Sequence, residues 1–204
     1  MERLSNCCHL ALLTFGVVAG SALAQEGGRV WLGERPPPTG ASTLIVTPHP
    51  SQVPRSLRDL TTTATIVVRG AVARTLAPRE TDPGALETDA VFVVGTAIKG
   101  RIGGKEIVVS QRGGRREDLV VTPAQYSMLE PGEEYILFLI ENPKGAISRE
   151  KTLKHYWVVG AWYGLFPFES GRMRVKAQTP DAFRQAFEGM TIEQVIAELR
   201  KEIP

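Results

Sequence analysis

The chain has 204 residues, a formal net charge of +2, and the hydrophobic and charged fractions (43% and 23%) of an ordinary globular domain with a core. A net charge so close to zero gives no indication of binding to nucleic acid or to an anionic membrane surface. Both cysteines, Cys7 and Cys8, lie near the N-terminus, so residues 25–204 contain neither a disulfide nor a thiolate-based zinc site.

Residues 1–24 have the features of a cleavable signal peptide. Arg3 supplies a positive charge, residues 10–18 are apolar, and Ala22-Leu23-Ala24 fits the small-x-small cleavage rule. The apolar stretch is shorter than the roughly 20 residues that a membrane-spanning helix needs. We therefore expect export to the periplasm or the exterior, with no stable membrane anchor after cleavage.

Residues 25–55 are rich in proline, which removes backbone donors and disfavours helix, and they are predicted to form a flexible tail. Within this tail, residues 43–47 form a small apolar island. The island either adds an edge strand to the domain or serves as a docking segment, and the sequence leaves both possibilities open.

The domain proper is predicted to span residues 56–204. Ser56 is placed to cap a short helix, and Gly70 marks a bulge or a close approach of two strands. Thr191 is placed to cap a C-terminal helix, and a shorter helix is predicted at residues 181–187. Strand-like patterns occur at residues 65–73, 90–98, 106–110, 134–140, 155–159, 163–168 and 172–175, and loops are predicted at 78–84, 111–132 and 142–152.

Short strands, hairpin signals and peripheral helices predict a mainly β fold. We expect a small OB-like β-barrel with a short N-terminal helix and C-terminal helices. A β-sandwich is the alternative. Closure into a barrel removes unpaired strand edges, which matters for an exported domain without disulfides.

The order of the strand motifs resembles a group of exported bacterial proteins of unknown function. Their domain is similar to the OB-like barrel of netrin modules and tissue inhibitors of metalloproteinases. The resemblance covers roughly residues 56–175 and rests on residues 64–72, 91–100, 113–114, 131–139, 156–160 and 164–166. It implies a fold and a bias toward binding proteins. The inhibitors' N-terminal cysteine, which reaches a protease zinc, has no counterpart in residues 25–204, so no activity is implied.

No catalytic constellation is recognised in the sequence. His155 opens an aromatic strand, and no base or nucleophile can be paired with it from the sequence, so a structural role is favoured over catalysis. His49 lies in the proline-rich tail, and two histidines in such different contexts make a poor metal site. The sequence therefore predicts no catalytic residues, no bound metal and no cofactor.

Two groups of residues are candidates for ligand binding. Arg112, Arg115 and Arg116 surround a glycine pair and form either a polyanion site or a solvated loop. Trp157, Trp162 and Tyr163, together with His155 at the start of the same strand, lie in an aromatic segment. This segment packs in the core unless one tryptophan faces outward, where it would suit sugar or peptide binding.

These features favour an exported, non-enzymatic binding or accessory module. Its partner would be an envelope or secreted protein, or a polysaccharide, held by the barrel face or by the apolar island of the tail. Two alternatives stay open: an envelope hydrolase in which His155 works with a loop carboxylate, and a structural component of the envelope.

Overall fold

The computed structural model describes residues 42–46, 53–82, 85–117, 119–124, 126–142, 148, 150–174 and 185–203. The predicted signal peptide lies outside these residues, as do most of the predicted tail and most of the helix predicted at residues 181–187.

Eleven strands and two helices are found in these residues. In chain order they are β1 (Ser42–Val46), α1 (Leu57–Thr63), β2 (Ile66–Thr75), β3 (Arg79–Asp82), β4 (Ala85–Lys99), β5 (Glu106–Arg112), β6 (Gly114–Arg116), β7 (Leu119–Pro123), β8 (Glu134–Glu141), β9 (His155–Val158), β10 (Leu165–Glu169), β11 (Arg172–Met173) and α2 (Ile192–Glu202).

Five of these strands close into a barrel in the order β2-β4-β5-β9-β8 and back to β2. All neighbours in the barrel are antiparallel except β5 and β9, which are parallel. The predicted OB-like barrel is confirmed, and the sandwich alternative is wrong. Closure pairs both edges of every barrel strand, as the absence of disulfides in residues 25–204 led us to expect.

Strands outside the barrel extend it in two places. β10 pairs with β8 and β11 pairs with β10, while β3 forms a hairpin with β4. A separate three-stranded sheet has the order β1-β7-β6, with β1 parallel to β7. The edge-strand interpretation of the apolar island is thereby confirmed.

Two loop predictions are wrong. Residues 79–82 of the predicted loop at 78–84 form β3, and the predicted connection at 111–132 contains the end of β5 together with β6 and β7. β3 and β6 are short and mostly exposed, so they lack the alternation of buried and exposed residues that identifies a strand. β3 and β6 are extended because they pair with β4 and β7. The sequence does not reveal these pairings.

Two apolar clusters form the core. The first fills the barrel and includes Phe92, Val109, Leu137, Tyr156 and Trp162. The second lies between the outer surface of β2 and β8 and the elements α1, α2 and β10, and it includes Leu60, Val67, Phe138, Phe166, Phe187, Val195 and Leu199. β8 serves both clusters, because its side chains alternate between them. Burial on both faces accounts for the continuous apolar run in the sequence of β8.

The predicted local signals are confirmed. The Ser56 side chain accepts a hydrogen bond from the Asp59 backbone N at 3.1 Å, and Thr191 forms a capping box with Gln194. At Gly70 the β2–β4 register shifts, and a Cβ there would lie 2.0 Å from the carbonyl oxygen of Val93. Gly70 therefore marks both the bulge and the close approach that the sequence indicated.

Candidate functional site

One side of the barrel carries a group of polar and ionisable side chains. Along β4, Ala90, Phe92 and Val94 belong to the interior cluster, so the residues between them face outward. The strand register then places outward-facing residues of β4, β5 and β9 side by side. We call this surface the polar face. Together with neighbours from β3 and the β8–β9 connection, it consists of Arg79, Glu87, Asp89, Ser110, Arg112, Asn142, Ser148, Glu150, His155 and Trp157.

Asp89 is the centre of the polar face. It is 1% exposed. Its Oδ1 accepts a hydrogen bond from Ser110 Oγ at 2.6 Å, and its Oδ2 accepts hydrogen bonds from Ser148 Oγ at 2.5 Å and from the Arg79 guanidinium. A buried carboxylate is tolerated only when it is paired and hydrogen-bonded. Asp89 meets both conditions, so we assign it a structural role.

Arg79 bridges two carboxylates. Its guanidinium forms ion pairs with Asp89 and Glu87, and its side chain is only 12% exposed. Burial raises the pKa of the Glu87 carboxyl above its ordinary value, although the adjacent Arg79 opposes that rise. Asp89 and Glu87 thus share the Arg79 guanidinium, and Arg112, which lies opposite Glu87, places a second positive charge beside this group.

The β8–β9 connection is tied to the polar face at several points. Besides the bond from Ser148 to Asp89, the Asn142 side chain donates to Ser110 Oγ at 3.4 Å, and the Asn142 backbone N donates to the His155 carbonyl at 2.8 Å. Glu150 lies 3.9 Å from Arg74 of β2. The polar network therefore joins the β3 hairpin to the β8–β9 connection across the outer surface of the barrel.

This location matches the place where OB folds bind their ligands. In such barrels the binding surface is the face of the second and third strands. The connections between strands one and two and between strands four and five complete it. The corresponding parts here are β4, β5, the connection that contains β3, and the connection from β8 to β9. The inner part of this surface is closed, since Val91 and Val108 face outward yet are 0% exposed.

Three of the predicted site residues come together here. Arg112 ends β5 opposite Glu87 and is exposed, Trp157 lies opposite Ser110 and is half-buried, and His155 lies opposite Val108. The other two predicted arginines, Arg115 and Arg116, lie on strand β6, and both are exposed. Arg116 forms an ion pair with Glu80 at 3.0 Å, which reduces its capacity to hold a second anion.

His155 is not placed as a catalytic base. It is 7% exposed, and its Nε2 lies 2.6 Å from the backbone carbonyl oxygen of Glu150. The carboxylate of Glu150 instead accepts hydrogen bonds from Thr152, which lower the pKa of Glu150. In the described residues, Ser110 and Ser148 donate to Asp89, and we find no serine that donates to His155.

Trp162 and Tyr163 do not belong to the polar face. Gly160 and Ala161 have positive φ angles (61° and 63°), and the resulting turn directs Trp162 into the barrel core, where it is 6% exposed. Its ring stacks on Tyr126, with centroids 6.3 Å apart, and on Tyr163 at 5.2 Å. The core interpretation is confirmed for Trp162, and the alternative of an exposed aromatic platform is wrong for this residue.

Arg79, Asp89 and Ser148 were not identified from the sequence. Arg79 and Ser148 lie in segments that were predicted to be loops, and Asp89 directly precedes a predicted apolar strand. The sequence contained one signal of this network, Asp89. A carboxylate beside a long apolar run is buried in the same strand only when a partner neutralises its charge. Identifying the partner required the tertiary structure, since Ser148 is 59 residues away.

Two further structural findings bear on function. Among the described residues, no group of three or more histidine, cysteine, aspartate or glutamate side chains is arranged to hold a metal ion. No helix in those residues is long and apolar enough to cross a membrane.

The chain was also compared with known proteins. It matches no protein-family model and no curated protein sequence.

Proposed function

We propose that this chain is an exported, non-enzymatic binding module that holds a protein partner at the polar face. The observation that carries the proposal is the buried network of Arg79, Asp89 and Ser148, which joins two barrel connections at the position where OB folds bind ligands. Binding surfaces held by a buried network are pre-organised, so little conformational entropy is lost when a partner binds.

The side chains at the margin of this network support a protein partner. Arg112 is exposed and Trp157 is half-buried beside it, and tryptophan and arginine are the residue types most enriched at the centres of protein interfaces. The charges around them are mixed, because Glu80 pairs with Arg116 and Glu87 lies opposite Arg112. Mixed charge favours a protein surface over a uniformly anionic polysaccharide.

The alternative of a hydrolase that uses His155 gains no support from the structure. A general base needs a ring nitrogen within hydrogen-bonding reach of the substrate proton. His155 is buried, and its Nε2 is engaged by the Glu150 carbonyl. Its placement is that of a residue that fixes the β8–β9 connection.

The proposal is tested by capturing partners from envelope and secreted fractions of the organism that makes the protein. The wild type is compared with Trp157→Ser and Arg112→Glu on the polar face. Arg101→Glu is the matched control, since Arg101 is exposed near the opposite end of β4. We expect one protein that is retained by the wild type and the control and lost from both polar-face variants.

Three outcomes would contradict the proposal. Equal capture by all four proteins would remove the polar face from the interaction. Capture of a polysaccharide that is released by moderate salt would replace the protein partner with a polyanion. If nothing is retained by the wild type, the chain is not a binding module under these conditions, and the structural alternative becomes the leading one.

A further inference from the structure

The polar face and its margin contain an arginine whose charge is not neutralised within the described chain. Three neighbouring arginines form ion pairs with carboxylates, namely Arg74, Arg79 and Arg116. Arg112, at the end of β5, is exposed. In the part of the chain that the structure describes, its guanidinium forms neither an ion pair nor a side-chain hydrogen bond.

The carboxylate opposite Arg112 in the strand register is already bound elsewhere. Glu87 lies opposite Arg112, but it forms its ion pair with Arg79. Its side chain is only 13% exposed, and a move toward solvent to meet Arg112 would leave the buried Arg79 with one carboxylate in place of two. The Arg112 guanidinium therefore remains available to a carboxylate of another molecule.

An aromatic side chain lies beside Arg112 on the same surface. Trp157 is opposite Ser110, which precedes Arg112 by two residues on β5 and faces the same side of the sheet. Strand spacing places the Cα atoms of Arg112 and Trp157 about 8 Å apart. Trp157 is half-buried, so part of its ring is held by the protein and part is open to a partner. Neighbouring side chains of one short segment would reach both residues.

We propose that the partner held at the polar face presents an aspartate or glutamate side chain to Arg112, with an adjacent apolar side chain packed on Trp157. The inference rests on the proposed function and adds the chemistry of the partner to it. A guanidinium matches a carboxylate through two parallel N–H···O bonds. The apolar contact at Trp157 would shield this pair from water, which strengthens it relative to an open surface ion pair.

The charges around Arg112 favour a single carboxylate over a basic segment or an anionic polymer. Arg112 is exposed, whereas Arg79 and the two carboxylates that it holds have side chains at most 13% exposed. An approaching partner therefore meets a positive charge at this point, and a basic segment would be repelled. The neighbouring Arg116 is paired with Glu80, so the positive charge does not continue along the surface as an anionic polymer would require.

The first test uses two blocked tripeptides, acetyl-Phe-Glu-Phe-amide and acetyl-Phe-Gln-Phe-amide, which differ only in the charge of the central side chain. Each is titrated into isotopically labelled protein, and the Arg112 Nε–H and Trp157 indole N–H signals are followed by NMR. We expect the glutamate peptide to shift both signals. It should bind on the order of tenfold more tightly than the glutamine peptide, which is the contribution of a hydrogen bond between charged groups.

Variants assign this preference to the guanidinium. Arg112→Gln should abolish the preference for the glutamate peptide. Arg112→Lys keeps the charge without the planar fork of donors, so it should retain only part of the preference. Arg101→Gln removes an exposed arginine near the opposite end of β4 and should leave the preference unchanged. Circular dichroism and thermal unfolding establish that each variant is folded.

Several results would overturn the inference. Equal binding of the two tripeptides would do so, as would a preference that persists in Arg112→Gln. A titration in which neither peptide shifts the Arg112 and Trp157 signals would also do so. If a sulfated polysaccharide binds through Arg112 more tightly than the glutamate peptide at the same ionic strength, a polyanion replaces the acidic side chain as the ligand.

The second test separates this inference from the proposed function. The partner captured by the wild type is measured against Arg112→Gln and Trp157→Ser, and we expect Arg112→Gln to weaken binding about tenfold. If Trp157→Ser loses the partner while Arg112→Gln binds it as tightly as the wild type, the proposed function stands and the acidic contact is wrong. If the wild type retains no partner, the proposed function fails, and the tripeptides still decide whether Arg112 binds a carboxylate.

Discussion

Asp89 is the residue on which the polar face depends most. It is almost completely buried, and three donors from three different segments converge on its carboxylate. A buried ion pair adds little net stability compared with an apolar replacement of both partners, but removal of one partner leaves an uncompensated charge. Single substitutions in this network should therefore be costly.

We predict that Asp89→Asn lowers the free energy of unfolding by about 3 kcal/mol, the lower end of the cost of breaking a buried pair, because Glu87 still neutralises part of the Arg79 charge. The measurement is chemical denaturation. Asp82→Asn, at an exposed position on β3, is the control and should change stability by less than about 0.5 kcal/mol. Equal effects of the two substitutions would contradict the structural role of the network.

Glu87 makes the stability of the domain depend on pH. Its pKa in the folded state is raised above the ordinary value of 4.5, chiefly by burial. As pH rises from 4.5 through the folded pKa, the unfolded chain releases this proton before the folded chain does. The folded state then binds more protons, so the free energy of unfolding falls across this interval.

We predict that the free energy of unfolding of Glu87→Gln does not show this decrease with rising pH, because glutamine cannot ionise. The stability of the wild type relative to Glu87→Gln should decrease from below pH 4.5 to pH 7, as measured by urea denaturation at each pH. Glu193→Gln changes an exposed carboxylate on α2 and serves as the control. A relative stability that increased over this range would show that Arg79, and not burial, dominates the pKa of Glu87.

At the scale of the elements, the barrel depends on the close approach of β2 and β4. These two strands share an irregular register with three shifts, one of which lies between Arg69 and Gly70. Only glycine fits at position 70, because a Cβ would lie 2.0 Å from the Val93 carbonyl oxygen and 2.8 Å from the Phe92 ring. Both neighbours are held within the barrel wall, so neither can move away easily.

We predict that Gly70→Ala destabilises the domain by about 3 kcal/mol, the upper end of the usual cost of overpacking, because the obstructing atom belongs to the backbone. Gly104→Ala is the matched control. It lies in the turn after β4, where an added Cβ would meet nothing within 4 Å. Thermal unfolding of both variants measures the difference, and a Gly70→Ala variant as stable as the control would mean that β2 and β4 can separate at little cost.

At the scale of the whole molecule, the barrel is stabilised from outside as well as from within. The second apolar cluster covers the outer surface of β2 and β8, and α2 contributes to it through Ile192, Val195 and Leu199, which are at most 4% exposed. Full burial of such side chains contributes about 1.5–3 kcal/mol each, or about 5–9 kcal/mol for the three. That sum is comparable with the total stability of an ordinary domain.

We predict that a chain ending at Met190 does not fold stably, because the truncation uncovers the outer cluster. Far-UV circular dichroism and limited proteolysis measure the loss of structure. Replacement of the exposed residues Glu193, Arg200 and Lys201 by alanine, with α2 retained, should leave the domain folded. A folded truncated chain would show that the barrel interior is sufficient for stability.

Much of the fold could be predicted from the sequence because the relevant signals are local. The caps at Ser56 and Thr191 act within one helical turn. Ser170 and Gly171, whose φ angles are left-handed, form the hairpin turn between β10 and β11. The apolar run of β8 indicates burial on both faces wherever its neighbours come from. In each case the physical cause lies within a few residues of the signal.

The tertiary structure alone decided how the polar face is assembled. The parallel pairing of β5 with β9 brings Trp157 beside Ser110, and Asp89 meets Ser148 across 59 residues of chain. The turn at Gly160 and Ala161 directs Trp162 into the barrel, while strand alternation in β9 leaves Trp157 on the outer surface. The sequence pattern shows that side chains alternate along a strand. Long-range strand register and closure of the barrel decide which side chains face inward and which charges meet. Burial of an ionisable group is favourable only where its partners are also brought to it, and those partners come from distant parts of the chain.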